Sequence, residues 1–279
     1  MLECVVNISE GRRTRVVAAI AAAAGDHLLD VHTDADHHRS VLTLAGPDVE
    51  AAARELATEA VARIDLRAHR GVHPRMGALD VVPFAPVGDD DLAEAMAARD
   101  RFITWAAETL ELPCFAYGPE RSLPDVRRAA FRSIPPDAGP GAPHPTAGAV
   151  AVGARPVLVA YNLWLADADP ATAVAIAAGL RSQSVRALGF DVGGLAQVSC
   201  NLIAPDVVGP DAVFDAVAAQ AEVGRAELVG LLPASVLAAI PPRRWPALGL
   251  DPSRTIEARL EMAGLDGGSL HGGTPGASQ

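Results

Sequence analysis

The two halves of this 279-residue chain repeat one order of strand and helix patterns, and this repetition constrains the fold most. Runs of β-branched and other apolar residues predict strands, and alanine-rich or helically periodic runs predict helices. The first half shows the order strand, helix, strand, strand, helix, strand at residues 2–8, 14–24, 27–32, 40–45, 48–64 and 78–83. The second half shows the same order at residues 156–165, 170–180, 185–190, 196–203, 211–226 and 228–232.

This order is that of the split β-α-β-β-α-β unit, so each half is predicted to form a ferredoxin-like subdomain. The predicted fold class is α+β, with two such subdomains packed together and a substrate groove between them, because ligand sites favour domain interfaces. The predicted boundaries are residues 1–154, residues 155–263 and a disordered tail over residues 264–279. Three further helices and one strand are predicted at residues 89–110, 123–131, 254–262 and 114–117.

Residues 134–148 form a different kind of segment, rich in proline and glycine. Proline lacks the backbone N–H that a helix interior or a central strand needs, so neither is expected there. A long irregular stretch inside a folded protein is typical of a linker, a lid or a binding loop. The composition leaves these three alternatives open.

The basic residues are all arginine: the chain has 23 of them and no lysine. This excludes Schiff-base chemistry, a phosphate-loop lysine and a lysine nucleophile. The formal charge of −11 argues against nucleic acid and against an anionic membrane as partners. Any anionic small substrate must therefore be bound by arginines.

Cytoplasmic localisation is the expectation from the remaining composition. The most apolar run, residues 16–24, is too short for a membrane span of about 20 residues, and the N-terminus has no basic, signal-like region. Cys4, Cys114 and Cys200 are odd in number and far apart, which indicates free thiols rather than a disulfide framework.

Six of the eight histidines lie between residues 27 and 73, which raises the hypothesis of a metal site. The adjacent pair His37 and His38, together with His32, would be its centre, in a metal-dependent hydrolase. However, adjacent side chains point in opposite directions in a strand, and the pattern around His69 does not match a helical zinc motif. No metal is therefore expected, and His37 and His69 are interpreted as solvated turn residues.

His73 stands out because of its neighbours. Pro74 fixes the backbone beside its imidazole, Arg75 offers a planar fork for a carboxylate, and Asp80 is placed to orient an imidazole or an arginine. Imidazole has a reference pKa of about 6.5 and accepts a proton at neutral pH. The segment is equally compatible with an acid–base site and with a structural loop before a buried strand.

Four ordered motifs, at residues 3–11, 29–39, 73–84 and 196–202, resemble those of glutamate formiminotransferase. The third, His-Pro-Arg-Met-Gly-Ala-Leu-Asp-Val-Val-Pro-Phe, is the longest and most specific. The resemblance implies reversible transfer of a formimino group between N5 of tetrahydrofolate, as cosubstrate, and the amino group of glutamate. It also implies two ferredoxin-like subdomains with the substrates between them.

The resemblance further assigns roles to particular residues. The catalytic histidine of the family falls on His73, which would take a proton from the acceptor ammonium and return it to the departing nitrogen. Arg75, Arg39 and Arg155 lie beside matched motifs and are candidates for substrate carboxylates, and Asn7 is a candidate for a polar contact or for holding a turn. The folate-binding segment of the family falls on Gly139, Pro140, Gly141, Ala142, Pro143, His144, Pro145, Thr146, Ala147 and Gly148.

Some positions depart from the family. Val6 and Ile8 stand where proline and phenylalanine are common, residues 139–148 offer no aromatic face for a pterin, and a glycine-rich insertion after Ser182 is nearly absent. These departures leave two alternatives open: a divergent transferase with another acceptor amine or one-carbon donor, and a non-catalytic folate- or carboxylate-binding protein. A cyclodeaminase activity is expected to be absent, and apolar helix faces are compatible with a homodimer.

Overall fold

The computed structural model describes residues 1–88 and 91–265. Its first half forms a six-stranded sheet in the order β2-β3-β1-β4-β6-β5. The elements, in chain order, are β1 (Leu2–Ile8), α1 (Thr14–Ala22), β2 (Leu28–Asp34), β3 (Arg39–Gly46), α2 (Val49–Arg63), β4 (Leu79–Pro86), α3 (Leu92–Thr109), β5 (Cys114–Tyr117), α4 (Leu123–Ala129) and β6 (Val150–Ala154). The strand order β2-β3-β1-β4 within this sheet, together with helices α1 and α2, is the predicted ferredoxin-like unit, and β6 and β5 extend it in parallel with β4.

The second half forms a four-stranded antiparallel sheet in the order β10-β7-β9-β8. Its elements are β7 (Val159–Leu165), α5 (Pro170–Leu180), β8 (Val185–Val192), β9 (Leu195–Leu202), α6 (Pro210–Ala218), β10 (Val223–Val229), α7 (Ala234–Ala238) and α8 (Ile256–Met262). The strand order is again that of a ferredoxin-like unit. The α+β class with two such subdomains is therefore confirmed.

Two predicted elements need correction, and one strand was not predicted. The predicted helix over residues 211–226 ends at Ala218, and the last strand begins at Val223 instead of residue 228, because β10 pairs along β7 from Val223. Strand β6 was missed, since its small residues follow the proline-rich segment and its stability comes from pairing with β4 and β5 on either side. Sheet pairing overrides the helix preference of alanine at both places.

Other bounds differ by a few residues. Helix α3 begins at Leu92, where the Asp91 side chain accepts a hydrogen bond from the backbone of Glu94; the predicted start of this helix, residues 89–90, lies outside the described residues. Most of the predicted disordered tail, residues 266–279, also lies outside them. Leu265, at its beginning, packs against the apolar cluster that contains Leu260.

Each sheet has a covered and an open face. On β1 the residues Cys4, Val6 and Ile8 pack under the helices of the first half, whereas Glu3, Val5 and Asn7 point the other way. Strand β7 alternates in the same manner, with its odd-numbered residues in a separate core under α5 and α6. The two open faces meet, so the sheets enclose a space between the halves.

No helix within residues 1–88 and 91–265 has the length and apolar character needed to cross a membrane. The three cysteines are buried and unbridged, as predicted.

Candidate active site

The space between the two sheets is a cavity of about 620 Å³ that is lined by residues of both halves. Four of the predicted site residues reach it, namely Asn7, Arg39, His73 and Arg155. They come from β1, from the start of β3, from the loop before β4 and from the connection after β6. The cavity size is within the range that encloses a small organic ligand.

His73 lies on a loop that is fixed from two sides. The Arg127 guanidinium donates to the Pro74 carbonyl at 2.9 Å, and the Asp80 carboxylate accepts from the Met76 backbone N–H at 2.6 Å. Burial, together with the positive charges of Arg39 and Arg127, lowers the pKa of His73 to about 2. The imidazole is therefore neutral at neutral pH and keeps a lone pair for a substrate proton.

Asp80 orients an arginine rather than an imidazole. Its second carboxylate oxygen accepts from Arg127 at 2.6 Å, and the carboxylate is only 2 % exposed. Sequence analysis missed Arg127, because it is 47 residues away from Asp80 on helix α4, and no local pattern indicates the pairing. The Asp80–Arg127 pair connects that helix to the loop of His73.

Arg39 is oriented by Asn7 and makes no ion pair with a described acidic residue. Its Nε donates to Asn7 Oδ1 at 2.8 Å, and a second guanidinium nitrogen donates to the same oxygen. No carboxylate in residues 1–88 or 91–265 lies within 4 Å of it, and burial lowers its pKa to about 10. A half-buried guanidinium on which Asp80 and Asp34 act only from beyond ion-pair distance is suited to bind an anion from the cavity. Asn7 thus contacts Arg39, and its predicted contact with a substrate stays a prediction.

Arg155 and Glu3 mark another part of the cavity. Arg155 donates to the Pro156 carbonyl at 2.9 Å, and its guanidinium is 4.0 Å from the Glu3 carboxylate. Burial raises the pKa of Glu3 to about 7, although Arg155 acts in the opposite direction. Sequence analysis did not single out Glu3, although its acidic side chain in an otherwise apolar strand pattern was a usable signal.

His37 was predicted to be a solvated turn residue, and this prediction is wrong. It is 7 % exposed, its Nε2 lies 3.1 Å from Gln197 Oε1, and its ring meets the Phe190 ring edge-on at 5.2 Å. Gln197 and Phe190 belong to the second half, which covers the turn, and a local pattern cannot show this. The His37 ring centroid is 6.0 Å from that of His73.

His38 and His69 support the His73 loop from behind. The His38 ring stacks on His69 at 3.9 Å, and its two nitrogens lie 3.0 Å from Glu10 Oε1 and 2.9 Å from the Arg70 carbonyl. His69 Nε2 lies 3.1 Å from the His38 carbonyl, and burial lowers the pKa of His69 to about 4. His69 is thus buried too, in contrast to its prediction as a solvated residue.

The three histidines of the metal hypothesis face different partners. His32 is 3.8 Å from Glu227, whereas His37 and His38 contact Gln197 and Glu10. In the described part of the chain no three histidine, cysteine or acidic side chains are grouped so that they could hold a metal ion.

Arg75 and residues 139–148 do not reach the cavity lining, although the structure describes all of them. Arg75 donates to the carbonyls of Gly71 and His73 at 2.8 and 2.6 Å. In the proline-rich segment, Gly148 bridges to Gly77, and a Cβ on Gly77 would lie 2.0 Å from the Ala149 carbonyl oxygen. Both features therefore hold the loop of His73 in place.

Comparisons with known proteins point in one direction. Residues 1–155 match the family model described as "Formiminotransferase domain, N-terminal subdomain". The chain is 36 % identical over 276 residues to a formimidoyltransferase-cyclodeaminase of Sus scrofa, covering 85 % of this chain and 51 % of the relative. It is 35 % identical over 270 residues to a glutamate formimidoyltransferase of Streptococcus pyogenes serotype M1, covering 85 % and 90 %. A glutamate formimidoyltransferase of Thermoplasma acidophilum is 30 % identical over 298 residues, covering 94 % and 98 %. The chain thus spans about half the length of the cyclodeaminase-containing relative and nearly all of the other two.

Proposed function

The chain belongs to the formiminotransferase family, and we propose that it transfers a formimino group between N5 of tetrahydrofolate and the amino group of L-glutamate. The observation that carries the proposal is the neutral imidazole of His73 beside the unpaired guanidinium of Arg39, in a cavity between the two subdomains. Both substrates carry carboxylates, and amine attack on a formimino carbon needs a base at the same place.

In the proposed mechanism Arg39 binds a carboxylate of the acceptor and places its ammonium group against His73. His73 accepts one ammonium proton, so the amine lone pair attacks the formimino carbon. The bond from that carbon to the departing nitrogen then breaks, and the imidazolium returns its proton to this nitrogen. No covalent bond to the protein forms, which is consistent with a chain without lysine.

Substrate binding also changes the pKa of His73. The positive charges of Arg39 and Arg127 contribute to the low pKa of His73. A carboxylate bound at Arg39 offsets part of this charge, so the imidazole becomes more basic when the acceptor is in place. The site is thereby tuned by its own substrate.

We assign the supporting residues accordingly. Asn7 orients Arg39, and Arg155 contributes a second positive charge to the cavity. For Arg75 and residues 139–148 we propose support of the His73 loop in place of the direct substrate and folate contacts that the resemblance implied. The two subdomains are proposed to comprise residues 1–154 and 155–263, with β6 ending at Ala154. Cytoplasmic localisation and a homodimer stay predictions.

The test is a spectrophotometric assay with formiminoglutamate and tetrahydrofolate. We expect turnover by the wild-type chain and a loss of about 10²- to 10⁴-fold in kcat for His73→Ala, with an unchanged Kd for folinic acid. His27→Ala is the matched control, since His27 contacts the Pro47 carbonyl outside the cavity. An unchanged kcat in His73→Ala would contradict the assignment of the base. Folate binding without turnover by the wild type would favour the binding-protein alternative.

A further inference from the structure

Glu3 carries a buried carboxyl group that the proposed transfer step does not use. It is 2 % exposed, yet no donor in residues 1–88 or 91–265 makes a hydrogen bond to its side-chain oxygens. The guanidinium of Arg155 stays 4.0 Å away and donates to the Pro156 carbonyl. Buried carboxylates in folded proteins usually accept hydrogen bonds, so one that lines a cavity with only the ion pair to Arg155 is suited to a ligand that brings donors.

Glu3 lies on the open face of the six-stranded sheet together with Val5, Thr43, Pro83 and Tyr117, and these five residues, called the slot here, all line the cavity. The Tyr117 side chain covers the position that a Cβ on the neighbouring Gly153 would take, since that atom would lie 2.1 Å from the ring. The hydroxyl of Thr43 is buried without a partner. The slot thus combines an apolar surface and an aromatic ring with a carboxyl and a hydroxyl that lack hydrogen-bond partners.

The slot is separate from the reacting end of the cavity. Glu3 and Asn7 are four residues apart on β1, which corresponds to about 13 Å at the rise of a strand. Asn7 holds Arg39, whose charge acts on His73. An acceptor ammonium that contacts His73 therefore cannot also reach Glu3.

We propose that this slot binds the pterin ring of the folate cosubstrate, with the Glu3 carboxylate accepting hydrogen bonds from the ring N3–H and the 2-amino group. The inference rests on the proposed function. These two N–H groups are parallel and adjacent, like the fork of a guanidinium, and match a carboxylate in two-point geometry. The flat ring can lie against the apolar side chains of this sheet face, and its N5 lies in the other ring of the bicycle, away from the Glu3 contact.

Burial raises the pKa of Glu3 to about 7, but hydrogen bonds from the ring donors favour its ionised form, and the charge of that form selects between the two substrates. Glutamate brings carboxylates, which a carboxylate at this end of the cavity repels, whereas the pterin brings only N–H donors to it. Glu3 and Arg39 therefore give the two ends of the cavity opposite charges. The folate ring binds at the carboxylate end and the amino acid binds at the guanidinium end.

The experiment measures binding of folinic acid to the full chain by calorimetry, together with the KM for glutamate. In Glu3→Gln one amide N–H₂ faces the ring donors, so we expect Kd for folinic acid to rise about 10- to 100-fold, the range for hydrogen bonds to a charged group. KM for glutamate should stay within about twofold. Glu227→Gln is the matched control, because Glu227 contacts Trp164 and does not line the cavity.

A second measurement uses a 2-desamino-2-methyl analogue of folinic acid on the wild-type chain, so it does not depend on folding of the variant. We expect the wild type to bind the analogue as weakly as Glu3→Gln binds folinic acid. Equal affinity of the wild type for both ligands, or an unchanged Kd in Glu3→Gln, would overturn the Glu3 assignment alone. A wild type that binds no folate would instead overturn the proposed function itself.

Discussion

Removal of the Arg127 side chain should destabilise the protein more than neutralisation of its partner Asp80. Arg127→Ala leaves the Asp80 carboxylate, 2 % exposed, with only the Met76 N–H as a partner. Breaking a buried ion pair in this way costs about 3–5 kcal/mol. Asp80→Asn keeps an oxygen for Met76 and leaves Arg127 bonded to the Pro74 carbonyl, so we expect a loss of about 1.5–3 kcal/mol, the value of one charged hydrogen bond.

The double variant decides whether the two residues act as a pair. Once residue 80 is a neutral asparagine, removal of Arg127 no longer leaves a buried charge without a partner. The double variant should therefore lose less free energy of unfolding than the sum of the two single variants, by about 1.5 kcal/mol or more. Urea denaturation followed by tryptophan fluorescence measures each free energy of unfolding.

The neighbouring Arg128 provides the control for this cycle. Its ion pair with Asp125 is on the surface, so Arg128→Ala should change stability by less than about 0.5 kcal/mol. Additive losses for Asp80→Asn and Arg127→Ala within about 0.5 kcal/mol would refute the argument. So would an Arg127→Ala variant as stable as Arg128→Ala.

Three further predictions concern contacts around the cavity. Gln197→Leu leaves the ring of His37 without its hydrogen bond across the two subdomains, and urea denaturation should show a loss of about 1–3 kcal/mol; a loss below about 0.5 kcal/mol would contradict this. Hydrogen bonds from the backbone of Arg12 and Arg13 lower the pKa of Glu10 to about 2 despite burial, so its carboxylate stabilises the fold above about pH 4.5, and this stabilisation is lost as the pH falls towards 2. Glu10→Gln should abolish that part of the pH dependence in acid titrations followed by circular dichroism. Gly153→Ala forces the Tyr117 ring to move, so we expect a loss of about 1–3 kcal/mol in thermal unfolding and weaker binding of folinic acid, and an unchanged Kd would argue against the slot.

Much of the architecture could be predicted because the elements carry strong local patterns. Strand β1 and helix α5 have the predicted bounds, since an apolar β-branched run and a proline-started alanine run are each unambiguous. Strands β6 and β10 depend on partners far away in the chain, and their own residues, such as Ala154 and Ala226, have no strong strand preference. Information of this kind is not present in a local window of sequence.

In the candidate site, too, residues with a local sequence pattern could be predicted and residues that depend on distant contacts could not. His73 was predicted as a site residue because its neighbours form a specific motif, and Arg39 and Asn7 because they lie in matched motifs; all three line the cavity. Arg127 and the burial of His37 were missed, since both result from the packing of distant segments. When the role of a residue depends on a neighbour that is distant in the chain, no local sequence pattern indicates that role.

Because side chains alternate along β1, β7 and β9, the residues that stabilise the core and the residues that line the cavity occupy different positions of each strand. On β9 the even-numbered residues build the core of the second half, whereas Ser199 and Asn201 line the cavity. Substitutions that change substrate preference can therefore occur at every second position, while the residues between them maintain stability. A combinatorial library restricted to the cavity-facing residues of these strands would explore new donor and acceptor preferences with little loss of folded clones.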